Sequence, residues 1–111
     1  MVGTERRSAQ RFQARLPLLV RWTSGSAVGE AATESEDVSS MGVYFPLPKN
    51  LRAGSPVEIL MTLPPELTLV GPIRVRCLGR ILRTEPLPDR RVGTGATIER
   101  YEFLRGNEDA P

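Results

Sequence analysis

The sequence predicts an all-β domain. Short apolar–polar alternations recur along it, turn-forming clusters separate them at short intervals, and no internal repeat or heptad pattern runs through the chain. At 111 residues there is room for one domain. A chain of that size buries a modest core without metal or disulfide help. About six strands at this spacing make a sandwich or a barrel, and closure into a barrel removes exposed strand edges.

Each element has its own signal. Residues 1–15 lack periodicity and read as a flexible, arginine-rich arm. Leu16, Leu18, Val20 and Trp22 share one face of a first strand, and Thr23-Ser24-Gly25-Ser26 is a turn. Residues 29–37 return as a second, weakly alternating strand, and residues 37–42 form a turn. Val43 and Phe45 mark a short strand, followed by a loop at Pro46, Pro48, Asn50 and Gly54. Val57, Ile59, Met61 and Leu63 point one way along the next strand, which Pro64-Pro65 ends. The longest candidate is 73–84, where Ile73, Val75, Cys77 and Ile81 alternate with Arg74, Arg76 and Arg80. Gly79 inside it predicts a bulge or a close backbone contact. Pro86, Pro88 and Asp89 make a turn before a last strand at 91–98. Residues 99–105 are expected to form a helical turn or short helix. The domain is thus placed at 16–106, with 107–111 as a frayed tail.

Composition removes several functions. There is no histidine, the commonest general base and metal ligand, and a single cysteine, Cys77, which excludes an internal disulfide. No catalytic residue, metal site or cofactor is therefore expected. Cys77 sits on an apolar strand face and reads as a small core hydrophobe. No apolar run approaches the ~20 residues of a membrane span, and the polar N-terminus is no signal peptide. The expectation is an intact, soluble, cytoplasmic protein.

Net charge is only +2, but fourteen of the fifteen basic residues are arginine. That bias suits planar anion recognition, and genome composition explains it equally well. Its placement is less neutral. Arg6, Arg7, Arg11, Arg15 and Arg21 are opposed only by Glu5, and the acidic Glu30, Glu34, Glu36 and Asp37 follow.

Two short motifs lie in this region. Arg7-Ser8-Ala9-Gln10-Arg11 is an RxxxR pattern, and Asp37-Val38-Ser39-Ser40-Met41-Gly42 is DxSxxG. One hairpin's worth of chain separates them. In order, spacing and β context the pair resembles the signature of the PilZ domain family, bacterial receptor modules for cyclic diguanylate. The likeness extends to Gly79-Arg80-Ile81 and to the spaced glycines of Val92-Gly93-Thr94-Gly95, and so covers roughly residues 5–105. It implies a six-stranded antiparallel β-barrel with a flexible N-terminal arm and a short C-terminal helix.

The resemblance also implies a ligand site at Arg7, Arg11, Asp37, Ser39 and Gly42, with Arg6 as a further candidate. Guanidinium forks match phosphate oxygens and the O6/N7 edge of guanine. A carboxylate and a hydroxyl bond other polar edges. In the family a cation at the position of Arg6 accompanies binding of a stacked ligand pair. Each assignment has a plain rival. The arginines also suit a solvated basic arm. Arg11 and Arg15 make a second RxxxR register, although Phe12 and the leucine-rich strand after it favour the first. Asp37 and Ser39 are ordinary turn formers. Gly42 is expected at positive φ, or where a β-carbon would strike the ligand.

The function implied is a cyclic diguanylate receptor, not an enzyme, that relays the signal to an unidentified protein effector as a monomer or weak homodimer. Neither DNA binding nor membrane insertion is expected. The rivals are a family-like adaptor that binds protein alone and a small barrel that binds single-stranded nucleic acid. Aromatics at 5% leave the last short of stacking platforms.

Overall fold

A computed structural model of the chain describes residues 15–104. They form eight strands: β1 (Pro17–Ser24), β2 (Ala27–Glu34), β3 (Asp37–Val38), β4 (Gly42–Leu47), β5 (Pro56–Leu63), β6 (Ile73–Pro86), β7 (Val92–Thr97) and β8 (Arg100–Leu104). One helical turn, α1 (Pro65–Thr68), follows the Pro64-Pro65 break that ends β5. The arm at 1–14 and the tail at 105–111, including Arg6, Arg7 and Arg11, lie outside the described residues.

The strands run antiparallel in the order β2-β1-β5-β6-β7-β4-β3, with β8 paired to β6 off this path. The 14-residue β6 is the spine. Its first half pairs with β5 on one side and β8 on the other, and its second half pairs with β7. A register shift between Ile81 and Arg83 marks the handover. Bulges bend a strand at such points.

Inward residues alternate as the sequence predicts. Leu18, Val20 and Trp22 of β1 meet Val57, Ile59 and Met61 of β5, with Val43, Phe45 and Leu47 of β4 and Val75, Cys77 and Ile81 of β6 completing the core. Full burial of one such side chain contributes about 1.5–3 kcal/mol. Gly79 has the close backbone contact expected of it, because a β-carbon there would collide with the Thr97 carbonyl. The neighbouring glycine strand β7 is therefore drawn tightly onto β6.

Three expectations need correction. The sheet does not close into a six-stranded barrel. Its ladder stays open between β2 and β4, where the link is the Thr33 hydroxyl donating to the Pro46 carbonyl at 2.8 Å. Proline at that place in β4 has no N–H to give a ladder. Nor does the second strand run unbroken to residue 37. It stops at Glu34, Ser35 turns fully inward, and Asp37–Val38 restarts as β3. Finally, residues 100–104 form a strand and not a helix. Tyr101 and Phe103 lie opposite buried Cys77 and Val75, while Arg100 and Glu102 face outward. That period of two suits the free edge of β6. Among the described residues no helix is long and apolar enough to cross a membrane.

Candidate functional site

The second motif sits at one edge of the β3-β4-β7-β6 half of the sheet. Asp37 of β3 pairs with Tyr44 of β4, Tyr44 pairs with Gly95 of β7, and Gly95 pairs with Arg83 of β6. Four residues thus form one cross-strand row: carboxylate, phenol, bare backbone, guanidinium. Tyr44 points outward because its neighbours Val43 and Phe45 are both buried in the core. A cleft of about 200 Å3 opens over this row, lined among others by Asp37, Ser39, Gly42, Tyr44, Arg83 and Gly95.

The glycines of β7 shape the floor. A β-carbon at Gly95 would stand 3.6 Å from the Arg83 Cγ and narrow the trough. At Gly93 a β-carbon would meet the Tyr44 hydroxyl, so the phenol lies over that position. From there it donates to Glu85 Oε2 at 2.6 Å. This hydrogen bond, with a smaller contribution from burial, pushes the Tyr44 hydroxyl up to about 12. Tyr44 is therefore a fixed neutral donor at physiological pH.

The turn after β3 is held by its own serine. The Ser39 N–H donates to the Gly42 carbonyl at 2.9 Å. The Ser39 hydroxyl oxygen accepts from the Met41 and Gly42 N–H groups at 3.1 and 3.2 Å. Ser39 thus holds the turn with its own hydroxyl. Gly42 is not at positive φ; among the described glycines that conformation belongs to Gly25, Gly54 and Gly71. Its smallness answers to β7, since a β-carbon would sit 3.0 Å from the Ala96 carbonyl oxygen.

The described chain begins beside the second motif. The Leu16 N–H donates to the Ser35 hydroxyl at 2.9 Å, and the Ser35 N–H returns to the Leu16 carbonyl at 3.0 Å. Ser35 is two residues from Asp37. This buried clamp fixes where the arginine-bearing segment leaves the sheet. Arg15, the rival register's second arginine, stands exposed, 3.9 Å from the Glu34 carboxylate.

Sequence reasoning missed Tyr44 and Arg83. Tyr44 was legible as the outward residue between Val43 and Phe45. Arg83 was not, because the irregularity after Ile81 interrupts the alternation that placed Arg74, Arg76 and Arg80. Those three lie elsewhere: Arg76 is bound to Glu58 at 2.5 Å, and Arg80 pairs with Glu99 at 3.5 Å. Cys77 is in the core, and burial pushes its thiol up to about 11. Among the described residues no group of three His, Cys, Asp or Glu side chains could hold a metal ion.

Known proteins share this fold. No curated protein matches the chain. Among solved structures, the Bacillus subtilis inhibitor of motility (MotI/DgrA) superposes with a TM-score of 0.69 at 17% identity, over 92% of this chain. The chain spans only 46% of that protein's length, and the likeness is one of fold. The PilZ domain of CeSA from a cellulose-synthesizing bacterium gives a TM-score of 0.52 at 25% identity, covering 82% of this chain and 83% of that domain. The PilZ domain family model matches residues 5–108, nearly the whole length and both motifs, and the chain belongs to that family.

Proposed function

We propose that this domain binds cyclic diguanylate through Arg7, Arg11, Asp37, Ser39 and Gly42, with Tyr44 and Arg83 completing the site and Arg6 as a further cation. The observation that carries this reading is the cross-strand row. A glycine floor flanked by a phenol and a guanidinium accepts a planar base. Asp37 at the end of the row can accept from guanine N–H donors, and Arg83 can donate to phosphate or to O6/N7. The family model, whose match includes both motifs, supports the ligand class.

The arm can reach this cleft. Arg11 precedes Leu16 by five residues, a span of at most about 18 Å when extended. Leu16 is clamped to Ser35, and Ser35 lies within about 7 Å of Asp37 along the chain. Ligand binding would draw the two arginines over the cleft through charge-assisted hydrogen bonds. A surface made partly of arm and partly of ligand then becomes available to a protein effector, and the domain acts as a receptor that relays without a chemical step.

Isothermal titration tests this directly. Cyclic diguanylate is expected to bind with a micromolar or lower Kd, roughly −8 kcal/mol. Cyclic diadenylate, with an amino donor in place of O6, is expected to bind far more weakly. Equal heats for both would overturn guanine recognition, and no heat for either would return the domain to a protein-only adaptor.

A further inference from the structure

The outward face of the β2-β1-β5-β6-β8 half carries an alternating charge stripe. Glu30 of β2 receives the Arg21 Nε–H of β1 at 2.9 Å. Arg21 also lies 3.8 Å from Glu58 of β5, and Glu58 binds Arg76 of β6 at 2.5 Å. Arg76 pairs in register with Glu102 of β8. The Glu58 carboxylate foremost, and Glu102 after it, hold the Arg76 guanidinium in its charged form. The stripe runs minus, plus, minus, plus, minus across five strands and ends on Glu102. Among the described strands β8 pairs with β6 alone, so its other edge presents a row of ladder groups open to a further strand. The next strand in such a stripe must offer a cation opposite Glu102.

Among the described residues, nothing covers the inward face of the same strand. Tyr101 and Phe103 are 54% and 60% exposed, although they lie opposite the buried Cys77 and Val75. Their rings meet edge to face at 5.9 Å and rim an apolar groove of about 290 Å3 floored by Met61, Leu63, Val75 and Ile98. Residues 105–111, which follow β8 directly, contain no large apolar side chain.

We propose that the β8 edge is where two copies of this chain associate, antiparallel and related by a two-fold axis through Tyr101. In that register Arg100 of each copy faces Glu102 of the other, and the stripe continues unbroken across the joint. The Tyr101 rings meet, and the Phe103 rings close over the two grooves. Sliding one copy to centre on Glu102 would oppose two carboxylates, and centring on Phe103 would leave Glu102 opposite Leu104. The strand therefore complements itself in one register. Isologous pairing of this kind is the commonest route to a homodimer. Opposite charges on facing strands favour it, and like charges oppose it.

Sedimentation of the full chain as a function of concentration, at low and high salt, is the test. The expected result is a weak dimer whose Kd rises with salt. Arg100→Glu and Glu102→Arg are each expected to raise that Kd by about ten-fold or more, from two like-charge contacts per dimer. Mixed in equal amounts, the two variants regain association. The carboxylate introduced in one chain then meets the guanidinium introduced in the other, and the native Arg100 of the second meets the native Glu102 of the first. Thermal melts of each variant confirm that the fold persists. Tyr101→Asp, on an exposed ring, also gives a monomer. A wild-type chain that stays monomeric to concentrations on the order of 1 mM overturns the proposal. Variants that dimerise like the parent, or a mixture that fails to recover, do the same. In the monomeric case, Tyr101 and Phe103 resonances that move on Phe12→Ser would assign the groove to the chain's own N-terminal segment.

Discussion

Asp37 and Arg83 stand at the two ends of a single cross-strand row, 46 residues apart in sequence, with Tyr44 and Gly95 between them. Opposite charges are thus held apart by two intervening strands, with bare backbone at Gly95 next to Arg83. The row ties the DxSxxG motif to strand β6, which carries no part of either motif.

Arg83→Ala is accordingly expected to weaken cyclic diguanylate binding by about 1–3 kcal/mol, the range for one arginine–base or arginine–phosphate contact. Its side chain is exposed, so the melting temperature is expected to stay within about 1–2 °C of the parent. Paired titration and melting on one preparation check both. A loss of stability without a loss of affinity would remove Arg83 from the site.

The arm offers a test of register. Arg7→Ala and Arg11→Ala are each expected to cost about 1–3 kcal/mol in affinity. Arg15→Ala is expected to cost less, since in the first register Arg15 is not one of the two motif arginines; in the structure it stands exposed, 3.9 Å from Glu34. Titration of the three variants decides it. A larger loss at Arg15 than at Arg7 would make Arg11 and Arg15 the working pair.

Ser39→Ala separates turn from ligand. The hydroxyl accepts from two backbone N–H groups, so its removal is expected to cost about 0.5–1.5 kcal/mol of stability in a denaturant melt. Asp37→Ala, by contrast, is expected to act mainly on affinity. Gly42→Val joins the first class. Its β-carbon would press on the Ala96 carbonyl, lowering stability as well as binding. A Ser39→Ala protein as stable as the parent would contradict the hydrogen-bonded turn.

Tyr44 and Gly93 are expected to show strong non-additivity. Gly93→Ala places a methyl where the Tyr44 hydroxyl lies, at a cost of about 1–3 kcal/mol for overpacking. With Tyr44→Ala in the background the same methyl has space, and most of that cost disappears. A double-mutant cycle by chemical denaturation measures the coupling. Additive effects would mean the phenol does not rest on Gly93.

Tyr44 also predicts a pH signature. Its hydroxyl ionises near 12 in the folded protein against an ordinary 10.0. The unfolded chain therefore releases this proton first as pH rises. The stabilisation is complete below about pH 10 and is lost as pH climbs from there through about 12. Glu85→Gln is expected to bring the Tyr44 ionisation down toward its ordinary value, because the hydrogen bond to a carboxylate is the largest cause of the shift. Ultraviolet titration of the phenolate follows it. An unchanged midpoint in Glu85→Gln would assign the shift to burial.

Local pattern was enough to determine much of this protein. Alternation placed the core faces of β1, β4, β5 and β6, because a period of two is written residue by residue. Turn chemistry marked a turn over 37–42, of which Asp37–Val38 is strand β3 and Gly42 opens β4, and the two motifs together identified the family. Whatever depends on which strand lies beside which was decided only by the tertiary structure. Tyr101 and Phe103 alternate as plainly as any strand, yet their strand needed the free edge of β6 to form. The ladder stays open between β2 and β4, where Pro46 has no N–H to offer. Gly42, expected at positive φ or where a β-carbon would strike a ligand, does not have positive φ, and the Ala96 carbonyl that a β-carbon there would crowd comes from a strand 54 residues away. Arg83 came to line the cleft for the same reason. Cross-strand neighbours are set by register and bulge, and the sequence states neither until the sheet has assembled.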